Sequence, residues 1–229
     1  MSDQRTDYTG DGLSEADLEP TPLAQVRRWV DEARARQISQ RDVPEPTALA
    51  LATADADGPD VRTVLMRFLD GRGPGFVTNL DSTKGHQIAA DARVAASLTW
   101  PSMFRSIRFR GVAEPLGRDE VTAYFDSRPW GSRVGAWASH QSAPVADRAA
   151  LEEEFARWAA EYPDTGAEDD VPVPDRWGGW RIRCTSLELW SGRRNRLHDR
   201  LRFDLADTHD VAGSDLDDAA AWVMTRLQP

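Results

Sequence analysis

This chain has almost no lysine. Of its 28 basic residues only Lys84 is lysine, and the rest are arginine. Where a compact ammonium survives once against that bias, its position is a question in itself. Cysteine is as scarce. Cys184 stands alone, which excludes an intrachain disulfide and suits a reducing cytoplasm. No run approaches the ~20 apolar residues of a membrane helix, and the polar, acidic stretch before Pro20 has no signal-peptide core. Gly-x-Gly-x-x-Gly and Gly-x-x-x-x-Gly-Lys-Ser/Thr are both missing, so neither common glycine-rich phosphate cradle is present. The four histidines, at 86, 140, 198 and 209, lack metal-ligand spacing. Positive charge is also in deficit. A net charge of -10 argues against general binding to nucleic acid or anionic membrane.

What remains is an ordinary globular composition, 40% hydrophobic in 229 residues, enough for a sizeable core. Residues 1–20 suggest a mobile arm, followed by a single domain over 21–229. Thr21 and Pro22 form a helix start, and Leu23, Val26, Trp29, Val30 and Ala33 recur at helical spacing, so a helix is predicted over 22–36. Ala48–Ala54 and Val61–Leu69 flank an Asp57-Gly58 turn and make a hairpin. Further strands are expected at 76–79, 94–100, 105–113, 180–190, 197–205 and 221–227. Helices are expected at 82–90, 119–127, 131–139 and 147–162. The fold class is mainly β with peripheral helices (α+β), an antiparallel sheet that closes as a barrel to solve its edges.

Several segments suit an anionic ligand. In Trp190-Ser-Gly-Arg-Arg-Asn-Arg196-Leu-His198-Asp-Arg200 an extended backbone would point Arg196, His198 and Arg200 to one face. Such crowding is either a solvated edge or a site for a compensating anion. Arg62-Thr63-Val64-Leu65-Met66-Arg67 alternates as a strand, with Arg62 and Arg67 on opposite faces. Val77-Thr78 then leads through Ser82-Thr83-Lys84 into a helix N-terminus, where free N–H groups and the dipole favour phosphate. The plainer alternative is a serine cap beside a solvated lysine. Tyr124 and Arg128 lie four apart, on one helix face, and Ser132 starts the next helix. Those three suit a second phosphate, or a packed tyrosine with a surface arginine. Gln141-Ser142 sits in a loop, and Trp190 could flank an aromatic ligand.

Together these segments resemble the pyridoxine/pyridoxamine 5'-phosphate oxidase family. The likeness runs from Arg5-Thr-Asp-Tyr8 through Tyr124-Phe-x-Ser-Arg128-Pro-x-x-Ser132, Gly135-Ala-Trp-x-Ser-x-Gln141-Ser142 and Trp177-Gly-Gly to Arg196-Leu-His-Asp-Arg200 and Arg226-Leu-x-Pro229. The resemblance implies an FMN-binding split β-barrel, a homodimer with flavin at the subunit interface. It also implies oxidation of pyridoxine or pyridoxamine 5'-phosphate to pyridoxal 5'-phosphate, with O2 as electron acceptor. By the same resemblance FMN would meet Arg62, Thr63, Val64, Leu65 and Arg67 on one strand, and Val77, Thr78, Ser82, Thr83 and Lys84 around the helix start. Ser106, Gln141, Ser142, Trp190 and Arg200 would complete the cofactor set. Substrate phosphate would meet Arg67, Tyr124, Arg128 and Ser132. Arg196 and His198, the implied catalytic pair, would lie over the substrate ring, with Arg5 and Tyr8 closing from the arm. No metal is implied. Arg67, Thr83 and Ser106 depart from the family pattern, where lysine, arginine and glutamine are usual. Those departures keep two other readings open, a phenazine-type flavin oxidase acting on a non-phosphorylated aromatic substrate and a non-catalytic flavin binder.

Overall fold

In a computed structural model, residues 7–229 are described. Nine strands form one antiparallel sheet: β1 (Ala48–Asp55), β2 (Gly58–Leu65), β3 (Phe68–Asp70), β4 (Gly73–Asn79), β5 (Arg93–Trp100), β6 (Arg105–Pro115), β7 (Trp177–Ser191), β8 (Asp199–Leu205) and β9 (Trp222–Arg226). Five helices surround it: α1 (Pro22–Ser39), α2 (Thr83–Ala90), α3 (Arg118–Asp126), α4 (Trp130–Ala138) and α5 (Arg148–Glu161). Local chemistry explains the helix starts. Thr21 accepts from the Ala24 N–H with Pro22 in the first turn, Ser82 accepts from the Gly85 N–H, and Asp147 accepts from the Ala150 N–H.

The strand order is β2-β1-β5-β6-β7-β4-β3, and β7 is where the sheet splits. One edge of β7 pairs with β6 over almost its whole length. The other edge pairs first with β4, through residues 177–181, and then with β8, through residues 186–191. Alternation along these strands builds the core. Ile107, Phe109, Leu187, Leu189 and Leu201 are fully buried on one face. On the opposite face Ser106, Trp190 and Arg200 stand in register across β6, β7 and β8.

Three expectations need correction. The barrel is not closed by hydrogen bonds among the described residues, because its two ends, β2 and β3, are consecutive in the chain and joined only by Met66 and Arg67. The Met66 N–H donates to Thr47 O and the Arg67 N–H to Gly75 O, so the backbone passes from one end of the sheet to the other within two residues. The expected strand over 61–69 is therefore broken, and Arg67 lies outside regular strand. The third correction concerns Arg196 and His198. They precede β8, in a short 3-10 turn over Arg194–Arg196 and the residues after it, and only Arg200 is on a strand. Alternation fails there because no ladder partner extends the backbone.

Candidate functional site

Three groups of the expected residues emerge, each held by its own contacts. The first surrounds the α2 N-terminus. Lys84 is buried, yet among the described residues it makes no salt bridge. Its Nζ donates to three neutral oxygens: Gln141 Oε1 at 2.9 Å, Ser82 Oγ at 3.1 Å and Thr78 Oγ1 at 3.2 Å. Thr78 also donates to Gln141 Oε1 at 2.7 Å. Burial, and secondarily the charge of Arg62, push the Lys84 ammonium below its usual pKa. Arg62 is itself held by Thr53, Gln87 and Asp60. Thr83 is exposed at the first helical position. The first N–H groups of a helix have no intrahelical partner. A buried cation, a second cation nearby and a helix start with no carboxylate on Lys84 make a site complementary to phosphate. The FMN phosphate fits it. Gln87, one turn after Lys84, is a buried member of this group that the sequence reading missed; its signal was Lys84-x-x-Gln87 on one helix face.

The loop after α4 brings Gln141 to this corner. Asn79 Nδ2 donates to Ser139 O, and Arg176 donates to Trp137 O at 2.6 Å, tying the end of α4 to β4 and to the start of β7. Ser142, at φ 74°, lies beside Gln141 and Thr83 on the wall of a cavity of about 330 Å3.

The second group lies at the α3–α4 junction. Tyr124 packs edge-on against Phe68, with ring centroids 5.7 Å apart. Arg128 falls just beyond α3, not on it, because the helix ends at Asp126. Its guanidinium lies over Trp177 at 4.5 Å and Phe125 at 5.5 Å. One of its nitrogens, Nη1, is buried without a hydrogen-bond partner. Desolvation lowers the Arg128 pKa, and the like charges of Arg67 and Arg133 add to it. An unpartnered buried donor is unfavourable by about 1–3 kcal/mol, more when charged, so the arrangement favours an arriving anion. Ser132, exposed in the first turn of α4, completes this group.

The third group is aromatic. His198 lies 4.8 Å from Trp190 and 5.2 Å from Tyr8 between ring centroids, and Tyr8 also packs against Phe104 at 5.1 Å. His198 Nδ1 accepts the Arg193 backbone N–H at 3.0 Å. Arg196 is exposed, and both it and Asn195 have positive φ, 61° and 59°. Asparagine tolerates this region, but Arg196 held there is strained by about 1–2 kcal/mol. Arg200 is anchored within the chain, and its Nη1 donates to Gln228 O at 3.0 Å. Glu188 holds it with two bonds of 2.8 and 3.1 Å. Arg5 lies outside the described residues. Within one chain no described contact joins the third group to the other two. Thr63, Val64, Leu65 and Val77 supply backbone on β2 and β4, and Ser106 sits beside Trp190.

The family model described as Pyridoxamine 5'-phosphate oxidase matches residues 35–162. A second, described as Pyridoxine 5'-phosphate oxidase C-terminal dimerisation region, matches residues 177–229. A pyridoxine/pyridoxamine 5'-phosphate oxidase of Kineococcus radiotolerans is 46% identical over 99% of this chain and 97% of its own length. One from Cupriavidus necator is 41% identical over 100% and 99%. Among solved structures, PhzG from Burkholderia lata, in complex with tetrahydrophenazine-1-carboxylic acid, superposes with a TM-score of 0.78 at 30% identity, covering 96% of this chain and 99% of that one. A pyridoxamine 5'-phosphate oxidase-related, FMN-binding protein of Nostoc punctiforme shares the fold at TM-score 0.66 and 14% identity, over 95% and 100%.

Proposed function

Because this chain belongs to the pyridoxine/pyridoxamine 5'-phosphate oxidase family, an FMN-dependent oxidoreductase family, we propose that it oxidises pyridoxine or pyridoxamine 5'-phosphate to pyridoxal 5'-phosphate with O2 as the final acceptor. The observation that carries this reading is the pair of phosphate-type corners in one chain. A flavin mononucleotide needs one, and a phosphorylated substrate needs the other. Lys84, Thr78, Ser82, Thr83 and Arg62 hold the cofactor phosphate, and Gln141, Ser142, Ser106 and Trp190 meet the flavin. Arg128, Tyr124, Ser132 and Arg67 hold the substrate phosphate. FMN supplies the two-electron acceptor, and the protein orients the donor carbon and excludes side reactions. Arg196 and His198 act from the third group, His198 with its proton at Nε2. The C-terminal dimerisation region supports a homodimer, in which that group completes the partner's site.

One observation favours a second reading. The PhzG likeness extends over nearly the whole chain, and that protein was crystallised with tetrahydrophenazine-1-carboxylic acid, an acid without a phosphate. The grouping of Arg128 with Tyr124, Ser132 and Arg67 offers donors for a three-oxygen phosphate and favours the phosphorylated substrate. Aerobic turnover of pyridoxine 5'-phosphate with excess FMN decides between them: matched pyridoxal 5'-phosphate formation and O2 uptake supports the proposal. A flavin-loaded protein that ignores this substrate and oxidises a reduced phenazine carboxylate supports the second reading. His198→Ala is expected to cut turnover while retaining flavin, and an unchanged kcat/KM would remove its role.

A further inference from the structure

Asp199 belongs to none of the expected binding sets, yet three separated parts of the chain converge on it. Its Oδ2 accepts the Leu13 N–H at 2.9 Å and Arg193 Nε at 2.5 Å, and its Oδ1 accepts Arg226 Nη1 at 2.7 Å. Arg226 reaches onward to Glu15 with two bonds and to Leu13 O. Hydrogen bonding to these donors outweighs desolvation and holds the Asp199 carboxyl below its usual range. The carboxylate thus joins the segment after Tyr8, the turn before His198 and the last strand.

The turn between these anchors is the strained one. Asn195 and Arg196 are both left-handed, and neither is glycine. Two consecutive residues stay in that region only where surroundings over-determine them. Here the Arg193 side chain is fixed by Asp199, and the Arg193 backbone N–H points at His198 Nδ1. A backbone N–H can only donate. Nδ1 must therefore present its lone pair, which leaves the proton of the neutral ring on Nε2.

We propose that Asp199 is the positioning residue of the Arg196–His198 turn, tethering Arg193 so that His198 is held as its Nε2–H tautomer beneath Tyr8. This rests on the proposed function for the meaning of "turnover" but not for its structural readout. The carboxylate touches neither ring nitrogen, so it acts through Arg193.

The test uses FMN-saturated holoenzyme with 15N-labelled histidine, wild type against Asp199→Asn and Asp199→Ala, with His198→Ala assigning the signals. At alkaline pH, where imidazoles are neutral, wild type is expected to show a single pattern with Nε2 protonated, and Asp199→Ala a tautomer mixture. The turnover arm should show kcat lowered at least tenfold in Asp199→Ala, with the FMN dissociation constant unchanged within twofold. Asp199→Asn preserves the side-chain volume and keeps the test open if the alanine variant fails to fold. An unchanged ring-nitrogen pattern in the substituted protein, or a kcat within twofold of wild type, overturns the proposal. If wild type is inactive on pyridoxine 5'-phosphate, the proposed function fails, and the nitrogen pattern alone decides the role of Asp199.

Discussion

At the β8–β9 edge, Arg193, Arg200, Arg202 and Arg226 each meet a carboxylate, from Asp199, Glu188, Asp204 and Glu15 with Asp199 respectively. Around α2 and the α3–α4 junction, Lys84 and Arg128 are more deeply desolvated and, among the described residues, make no salt bridge. A chain with ten more acids than bases could have matched them. Matched cations organise the fold, whereas unmatched buried cations leave room for an anion that arrives with a ligand. That difference sets Lys84 and Arg128 apart from the arginines of the β8–β9 edge, while Arg62, paired with Asp60 beside Lys84, combines the two roles.

The largest effect should come from breaking the unmatched side. Arg128→Met is expected to raise KM for pyridoxine 5'-phosphate by about 10- to 100-fold, the equivalent of one charge-assisted contact. The methionine fills the space against Trp177 and Phe125. Steady-state kinetics checks it, and an unchanged KM would return Arg128 to a packing role.

Breaking the matched side should change stability instead. Glu188 is buried and holds Arg200 bidentately, with Arg108 at 3.5 Å. Glu188→Gln is expected to lower stability by about 1–3 kcal/mol, a fall in Tm of roughly 3–10 °C in calorimetry. Substrate KM should change far less than in Arg128→Met.

A smaller effect sharpens the comparison through pH. The lowered Lys84 pKa means that the folded chain binds fewer protons than the unfolded chain, in the window between that lowered value and the ordinary lysine value of about 10.4. Flavin-free stability should therefore rise with pH through that window. Bound phosphate restores the ammonium's preference for its charge, so saturating FMN should flatten the slope. Denaturant titrations with and without FMN, repeated on Lys84→Met, read it directly.

The parts of the fold that were legible in sequence obey short-range rules. Thr21, Ser82 and Asp147 cap their helices because a cap needs only a side-chain oxygen and an N–H three residues on. The clustering of Ser82, Thr83 and Lys84 at the start of α2 was legible for the same reason: the three sit within one turn of a helix start. What escaped depends on tertiary partners. The Arg67 break follows from β2 and β3 pairing with different strands. The Arg193–His198 turn takes its shape from contacts with Asp199, which in turn bonds Leu13 far away in sequence. Glu188 claims Arg200 from a neighbouring strand. Twenty-seven arginines look alike until their partners are known.

The central claim is that Lys84 waits for a flavin phosphate. Flavin-fluorescence titration of FMN and riboflavin against wild type and Lys84→Met tests it most directly. Wild type should bind FMN at least tenfold tighter than riboflavin, and Lys84→Met should lose most of that preference while its riboflavin affinity stays the same. Equal preference for FMN in the two proteins would contradict the account.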